Sequence, residues 1–235
     1  MSFKREIKPV NIYASEELNS ALISIGIGIT GNPSLNSFNI EDVLLSASIE
    51  GMVRGDYRVL GLLTDWIEMH GRLINVDRLS KIVSLQADEK VRRYWKAISQ
   101  WQSKDVRFKK LSKNANVEGR SDLLGTGTDF LIQKHGEDPR FEGTVLRVPN
   151  LTLRHRLEDI QSADSLSRKN RFYRSRLMIG PSYRADVWAY LLKDRELSSS
   201  ELARLTYSSF ATAWGVKRDF EIYPRTQLKA DKVPA

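Results

Sequence analysis

The sequence predicts a mainly α-helical chain built around two trihelical modules, with β structure confined to small elements at their margins. Three observations carry this. Apolar residues recur at helical spacing through residues 39–101 and again through 183–220. Polar capping residues, Asn39 and Ser198 above all, stand where those patterns begin, and Gly or polar breaks stand where they end.

Residues 1–37 read as an N-terminal arm that closes in the breaker cluster Thr30-Gly31-Asn32-Pro33-Ser34. Within it, Leu22 to Ile29 suits a helix end or a strand. Gly26-Ile27-Gly28 is not a phosphate loop, because neither a third Gly nor a Lys-Ser or Lys-Thr pair follows. Residues 38–120 read as a helical module, helix-turn-helix-like. Asn39 caps a helix with Ile40, Val43, Leu44, Ala47 and Ile49 on one face. A second helix over Tyr57–Met69 carries Val59, Leu60, Leu62, Leu63, Trp66 and Ile67 and ends at His70-Gly71. A short helix from Asn75 or Val76 and a longer one over Ala87–Trp101 complete the module. Lys104 to Arg120, basic and polar, reads as its tail or wing running into a linker.

Residues 121–176 form a linker and basic segment. Gly125-Thr126-Gly127-Thr128 and His135-Gly136-Glu137-Asp138-Pro139 are turn-rich, and Thr144–Val148 suits a strand. Then Arg154, Arg156, Arg168, Lys169, Arg171, Arg174 and Arg176 gather around Phe172 and Tyr173. Arg168, Arg171 and Arg174, at spacing three, line one helical face and suit phosphate contact. The same pattern also describes arginine stems covering apolar surface.

Residues 177–235 carry the most informative pattern. Pro181 and Ser182 open a helix with Val187, Trp188, Leu191 and Leu192 on one stripe. Ser198 and Glu201 make a capping box for a short helix that sends Leu202 and Leu205 inward. After Thr206-Tyr207, a third helix places Phe210, Ala213, Trp214 and Lys217 at helical spacing. Its outer face then offers Ser208, Ser209, Thr212, Lys217 and Arg218 to base edges and phosphates, and Tyr223 to Lys229, including Arg225, suits a short wing. The order of helices parallels that of residues 62–101, which suggests an internal repeat.

The run Leu177-Met178-Ile179-Gly180, Arg184 to Leu192, then Ser200-Glu201-Leu202-Ala203-Arg204-Leu205-Thr206 resembles the winged helix-turn-helix of bacterial transcription regulators. It is also similar to the DNA-binding part of abortive-infection type antitoxins. That resemblance covers about the last quarter of the chain. It implies double-stranded DNA as partner, a homodimer on a palindromic site and, on the antitoxin reading, a nucleotidyltransferase-like toxin as protein partner. The turn departs from the pattern, with Tyr207-Ser208-Ser209 where a Gly is usual.

Composition agrees with a polyanionic partner. Among 235 residues, 37 Lys and Arg face 29 Asp and Glu, a formal charge of +8. With no cysteine, disulfides, thiolate catalysis and cysteine-ligated metals are excluded, and a reducing cytoplasmic setting fits. The longest apolar run, Ala21–Ile29, is too short to span a membrane, and no export signal is read at the N-terminus. His70, His135 and His155 lack metal-ligand spacing, and no nucleophile elbow is present, so no catalytic residue, metal or cofactor is expected. Three functions remain open: a DNA-binding regulator, an antitoxin that also binds its toxin, and a winged-helix adaptor that binds protein only.

Overall fold

Twelve α-helices and a two-stranded parallel sheet make up the described residues, 11–32 and 38–222, of a computed structural model. They divide into two units, 12–161 and a second one comprising Asn11 and 162–222. The division at Gln161/Ser162 falls inside the segment 121–176, linker and basic segment in the sequence reading. Among the described residues, no helix is long and apolar enough to cross a membrane.

The first unit is organised by a helix buried almost all round, α2 (Ile40–Arg54). Asn39 caps it as expected, its side-chain oxygen accepting the N–H groups of Glu41 and Asp42 at 3.0 and 3.3 Å. Gly51 lets α3 (Tyr57–His70) cross closely, because a Cβ there would stand 2.6 Å from the Cβ of Leu60. α1 (Ser15–Ser24) packs on α2 with Leu18 and Leu22 buried, so this part of the arm belongs to the core. Trp66 of α3 is fully buried and donates its indole N–H to the Ile25 carbonyl at 2.8 Å. Gly28 follows Ile27, which forms an antiparallel bridge with Ile160. The Gly28 N–H donates to the Asp159 carbonyl, which a Cβ would meet at 2.9 Å, and this close approach explains the glycine.

α4 (Val76–Ser84), α5 (Glu89–Trp101) and α6 (Phe108–Asn114) pack on one another. α6 replaces the tail or wing expected over residues 104–120. Phe108 and Leu111 bury a narrow apolar stripe, while Lys109, Lys110 and Lys113 surround it. The third helix of the module read as helix-turn-helix-like is α5, and it is packed into the core. Val91, Tyr94, Trp95, Ala97 and Ile98 are all fully buried, and the helix lies against α2 and α6. A reading helix needs a free face, and α5 has none beyond its first turn. The proposed repeat is thus one of sequence pattern, since its third helix is buried in one module and half exposed in the other. β1 (Ser121–Asp122) and β2 (Leu146–Arg147) form the parallel pair, the latter inside the expected strand. Between them α7 (Thr128–His135) links the two turn-rich stretches, a helix that the sequence reading did not assign.

His70 closes α3 with its ring nitrogen Nε2 3.0 Å from the Gln161 carbonyl, which it meets as a donor. Burial holds its pKa below the usual 6.5, Arg72 acts in the same direction, and the Gln161 hydrogen bond opposes them. The unfolded chain therefore takes up this proton first. Stability is expected to be full above about pH 7.5 and to fall as pH drops through 6.5 toward the lower folded value, at most about 1.4 kcal/mol per pH unit. Urea titrations at about pH 7.5 and 5.5 check this, and His70→Asn should flatten the difference.

Candidate nucleic-acid interface

The second unit begins with α8 (Ala163–Lys169) and α9 (Arg171–Ile179), which lead into α10 (Tyr183–Lys193), α11 (Ser199–Thr206) and α12 (Phe210–Ile222). Ser182 caps α10 through the Ala185 N–H. The Ser198–Glu201 capping box forms, with the Glu201 N–H donating to the Ser198 hydroxyl at 3.2 Å and the Ser198 N–H to the Glu201 carboxylate at 2.8 Å. The Ser198 hydrogen bonds also hold the Glu201 carboxyl below the usual range. Val187, Leu191, Leu202, Ala203, Ala213, Val216 and Phe220 make the core common to α10, α11 and α12.

The turn between α11 and α12 works without glycine because Tyr207 itself takes the left-handed conformation, φ 58° and ψ 22°. Its phenol oxygen accepts from Asn11 Nδ2 at 3.2 Å. Ser209 caps α12, its hydroxyl accepting the Thr212 N–H at 3.1 Å and lying 2.9 Å from the Thr212 hydroxyl. Thr212 is half-buried and Ser209 exposed.

The inward face of α12 is Ala213, Val216 and Phe220, at i, i+3 and i+7. Phe210 and Trp214, read at helical spacing with Ala213 and Lys217, are 47 % and 51 % exposed. They share a face with Arg218, at i, i+4 and i+8, and the Arg218 guanidinium lies over the Trp214 ring at 5.1 Å from its centroid. Arg218 also stands 3.5 Å from Asp219, whose carboxyl is held below the usual range by the Arg184 hydrogen bond at 3.0 Å.

Two residues assigned to the outer face do not reach it. Ser208 is buried, with its hydroxyl 3.0 Å from that of Thr206, because the turn needs its side chain as internal filling. Lys217 folds back to donate from Nζ to the Leu197 carbonyl at 2.8 Å, tying α12 to the segment ahead of α11. Arg225 and the wing at Tyr223–Lys229 lie outside the described residues.

The basic segment is reorganised as well. Asn170 adopts extended backbone between α8 and α9 and caps α9, so Arg168 lies on a different helix from Arg171 and Arg174 and the three share no single face. Arg168 pairs with Asp164 at 3.0 Å on the surface. Burial, and then repulsion from Arg174, holds the Arg171 guanidinium below its usual pKa. The aromatic residues between them pack rather than stack on bases. Phe172 meets Tyr190 edge-on at 4.8 Å, and Tyr173 is buried. Arg176 is the largest departure. It is buried beside Asp186, which it grips with two hydrogen bonds of 2.8 and 2.9 Å.

In the first unit the fold brings together Asp65, Glu68 and His155, which sequence spacing did not suggest. The buried Asp65 carboxylate already accepts from Arg140 Nη1 and from the Arg156 N–H, each at 2.6 Å, and His155 Nδ1 lies 3.1 Å away. A cation there would compete with a guanidinium for the same oxygen, so the group reads as part of an internal ion-pair network. No protein-family model, curated protein or solved structure matches the chain, and the interface rests on its own geometry.

Proposed function

We propose that the chain is a DNA-binding transcriptional regulator in which α11 and α12 form a helix-turn-helix and the outer face of α12 enters the major groove. It acts by binding and not by catalysis. The observation that carries this reading is the exposed stripe Phe210, Trp214 and Arg218 on a capped helix whose opposite face anchors a three-helix core. The aromatic rings suit apolar contact with thymine methyl groups, and Arg218 suits a base edge or phosphate. Ser209 and Thr212 open the same helix, and the Arg171–Arg174 pair supplies positive charge on α9. The wing that belongs to this reading, with Arg225, would follow α12, and a homodimer would match a palindromic site.

Fluorescence anisotropy with a duplex recovered by selecting bound genomic fragments tests the assignment. Trp214→Ala is expected to weaken binding roughly tenfold or more. Arg218→Ala should weaken it too, and Lys217→Ala should change it little because that amine is already engaged. Equal affinity for parent and Trp214→Ala rejects α12 as the reader.

A second reading, the antitoxin or the adaptor, is favoured by the same exposed aromatic residues, since Trp and Arg side by side also mark protein contact surfaces. On the adaptor reading Trp214→Ala would weaken a protein complex while no duplex binds even at low salt, whereas on the antitoxin reading the chain binds duplex as well as a toxin of the nucleotidyltransferase type.

A further inference from the structure

Arg195 lies in the segment between α10 and α11, half-buried, with its guanidinium over the Phe220 ring at 4.7 Å from the centroid. The ring attracts the flat face of the cation and leaves its N–H edge unmet. Nε and Nη2 are both buried, and among the described residues neither has an acceptor. They are the same two nitrogens with which Arg176 grips the two oxygens of Asp186. Asp194 and Glu196 flank Arg195 in sequence but leave this edge unfilled, and Asp194 instead accepts the Glu196 N–H at 2.9 Å. A buried N–H without an acceptor costs stability, and two on one cation cost more. Such a fork calls for an acceptor from elsewhere.

From this combination, and resting on the DNA-binding reading, we infer that Arg195 is a phosphate contact held in reserve. Its side chain leaves Phe220 when duplex arrives and closes the Nε–Nη2 fork on the two non-bridging oxygens of a backbone phosphate. A phosphodiester presents two oxygens at the spacing that a guanidinium fork matches. The exchange gives up one ring contact and two unmet N–H groups and gains two charge-assisted hydrogen bonds. Its place in the fold suits the role. The segment that carries Arg195 is tied to α12 at two points, by the ring contact to Phe220 and by the Leu197 carbonyl, which accepts from Lys217 Nζ at 2.8 Å. Lys217 stands on the border between the inward face of Ala213, Val216 and Phe220 and the outward face of Phe210 and Trp214. With α12 in a groove, that border meets the phosphate wall and not the base edges. The contact therefore fixes the helix in register without reading sequence.

Anisotropy titrations of the full chain, Arg195→Met and Arg195→Lys with the selected duplex over a range of salt test this. Arg195→Met is expected to weaken binding roughly tenfold and to make the slope of log affinity against log salt shallower by about 0.9, the counterion release of one phosphate contact. Arg195→Lys keeps the charge and should keep the parent slope. A second readout needs no DNA. Met fills the place over Phe220 without stranded N–H groups, so hydrogen-exchange protection of α10, α11 and α12 in Arg195→Met should equal or exceed that of the parent. Lowered protection makes Arg195 a packing residue and overturns the proposal. An unchanged slope in Arg195→Met, with the parent binding, overturns it as well and leaves the DNA-binding reading standing. A parent that binds no duplex at low salt is a separate outcome, which removes that reading and this contact together.

Discussion

Asp186→Ala is expected to lower the stability of the second unit by about 3–5 kcal/mol, the range for removing one partner of a buried ion pair. Arg176 and Asp186 are both at most 2 % exposed in their side chains and share two charge-assisted hydrogen bonds between α9 and α10. Removing the carboxylate leaves a guanidinium with no water to replace it, and that desolvated charge, more than the lost attraction, is what destabilises. The paired replacement Arg176→Met with Asp186→Leu removes both charges and should restore most of the loss. Because the chain forms two units, segment-resolved hydrogen exchange is the suitable readout. Protection should fall in α9, α10, α11 and α12 and persist in α2 and α5. Unchanged protection in Asp186→Ala would show that the pair contributes little.

Arg140→Ala is expected to cost at least as much, this time in the first unit. Arg140 stands between two buried carboxylates, 2.6 Å from Asp65 and 2.7 Å from Asp138, and it also donates to the Leu153 carbonyl at 2.7 Å. Its removal strands two anions and a carbonyl, so a loss of about 3–5 kcal/mol or more follows. Arg140→Lys should recover only part of this, because a single ammonium cannot reach three acceptors spread around a planar fork. Urea denaturation followed by protection in α2, α3 and α5 measures both. A loss below about 1 kcal/mol for Arg140→Ala would mean that water enters the site and solvates the carboxylates.

These two ion pairs also show where sequence reading stops. Helices with strong caps were legible because a cap is a local event. Asn39 and Ser198 form the bonds that their positions predict. The burial of Arg176 was not legible, since its partner lies ten residues on across a glycine turn and nothing local separates it from the exposed arginines around it. α6 was hidden for the converse reason. Lys109, Lys110 and Lys113 dominate the composition of a helix that is held by Phe108 and Leu111 alone.

At the candidate interface the element was legible and its rotation was not. Phe210, Ala213, Trp214 and Lys217 read together at helical spacing, yet the small Ala213 and the branched Val216 set the inward face, and the aromatic side chains turn outward. Lys217 read as a phosphate contact, but a long amine can bend back to a carbonyl, and here it does. In the first unit the same helical periodicity predicted a helix-turn-helix-like module, and only packing on both sides of α5 decides that its third helix is core. Pattern gives the helix and its cap, whereas the choice of which face meets solvent depends on neighbours distant in sequence.

On the proposed function, the outer face of α12 lies in the groove of a duplex. Photo-cross-linking with a bound duplex whose thymines are replaced by iodouracil tests it directly. The cross-linked peptide is expected to contain Phe210 or Trp214, and Trp214→Ala to diminish its yield. Cross-links confined to α5, α6 or any other part of the first unit would contradict it.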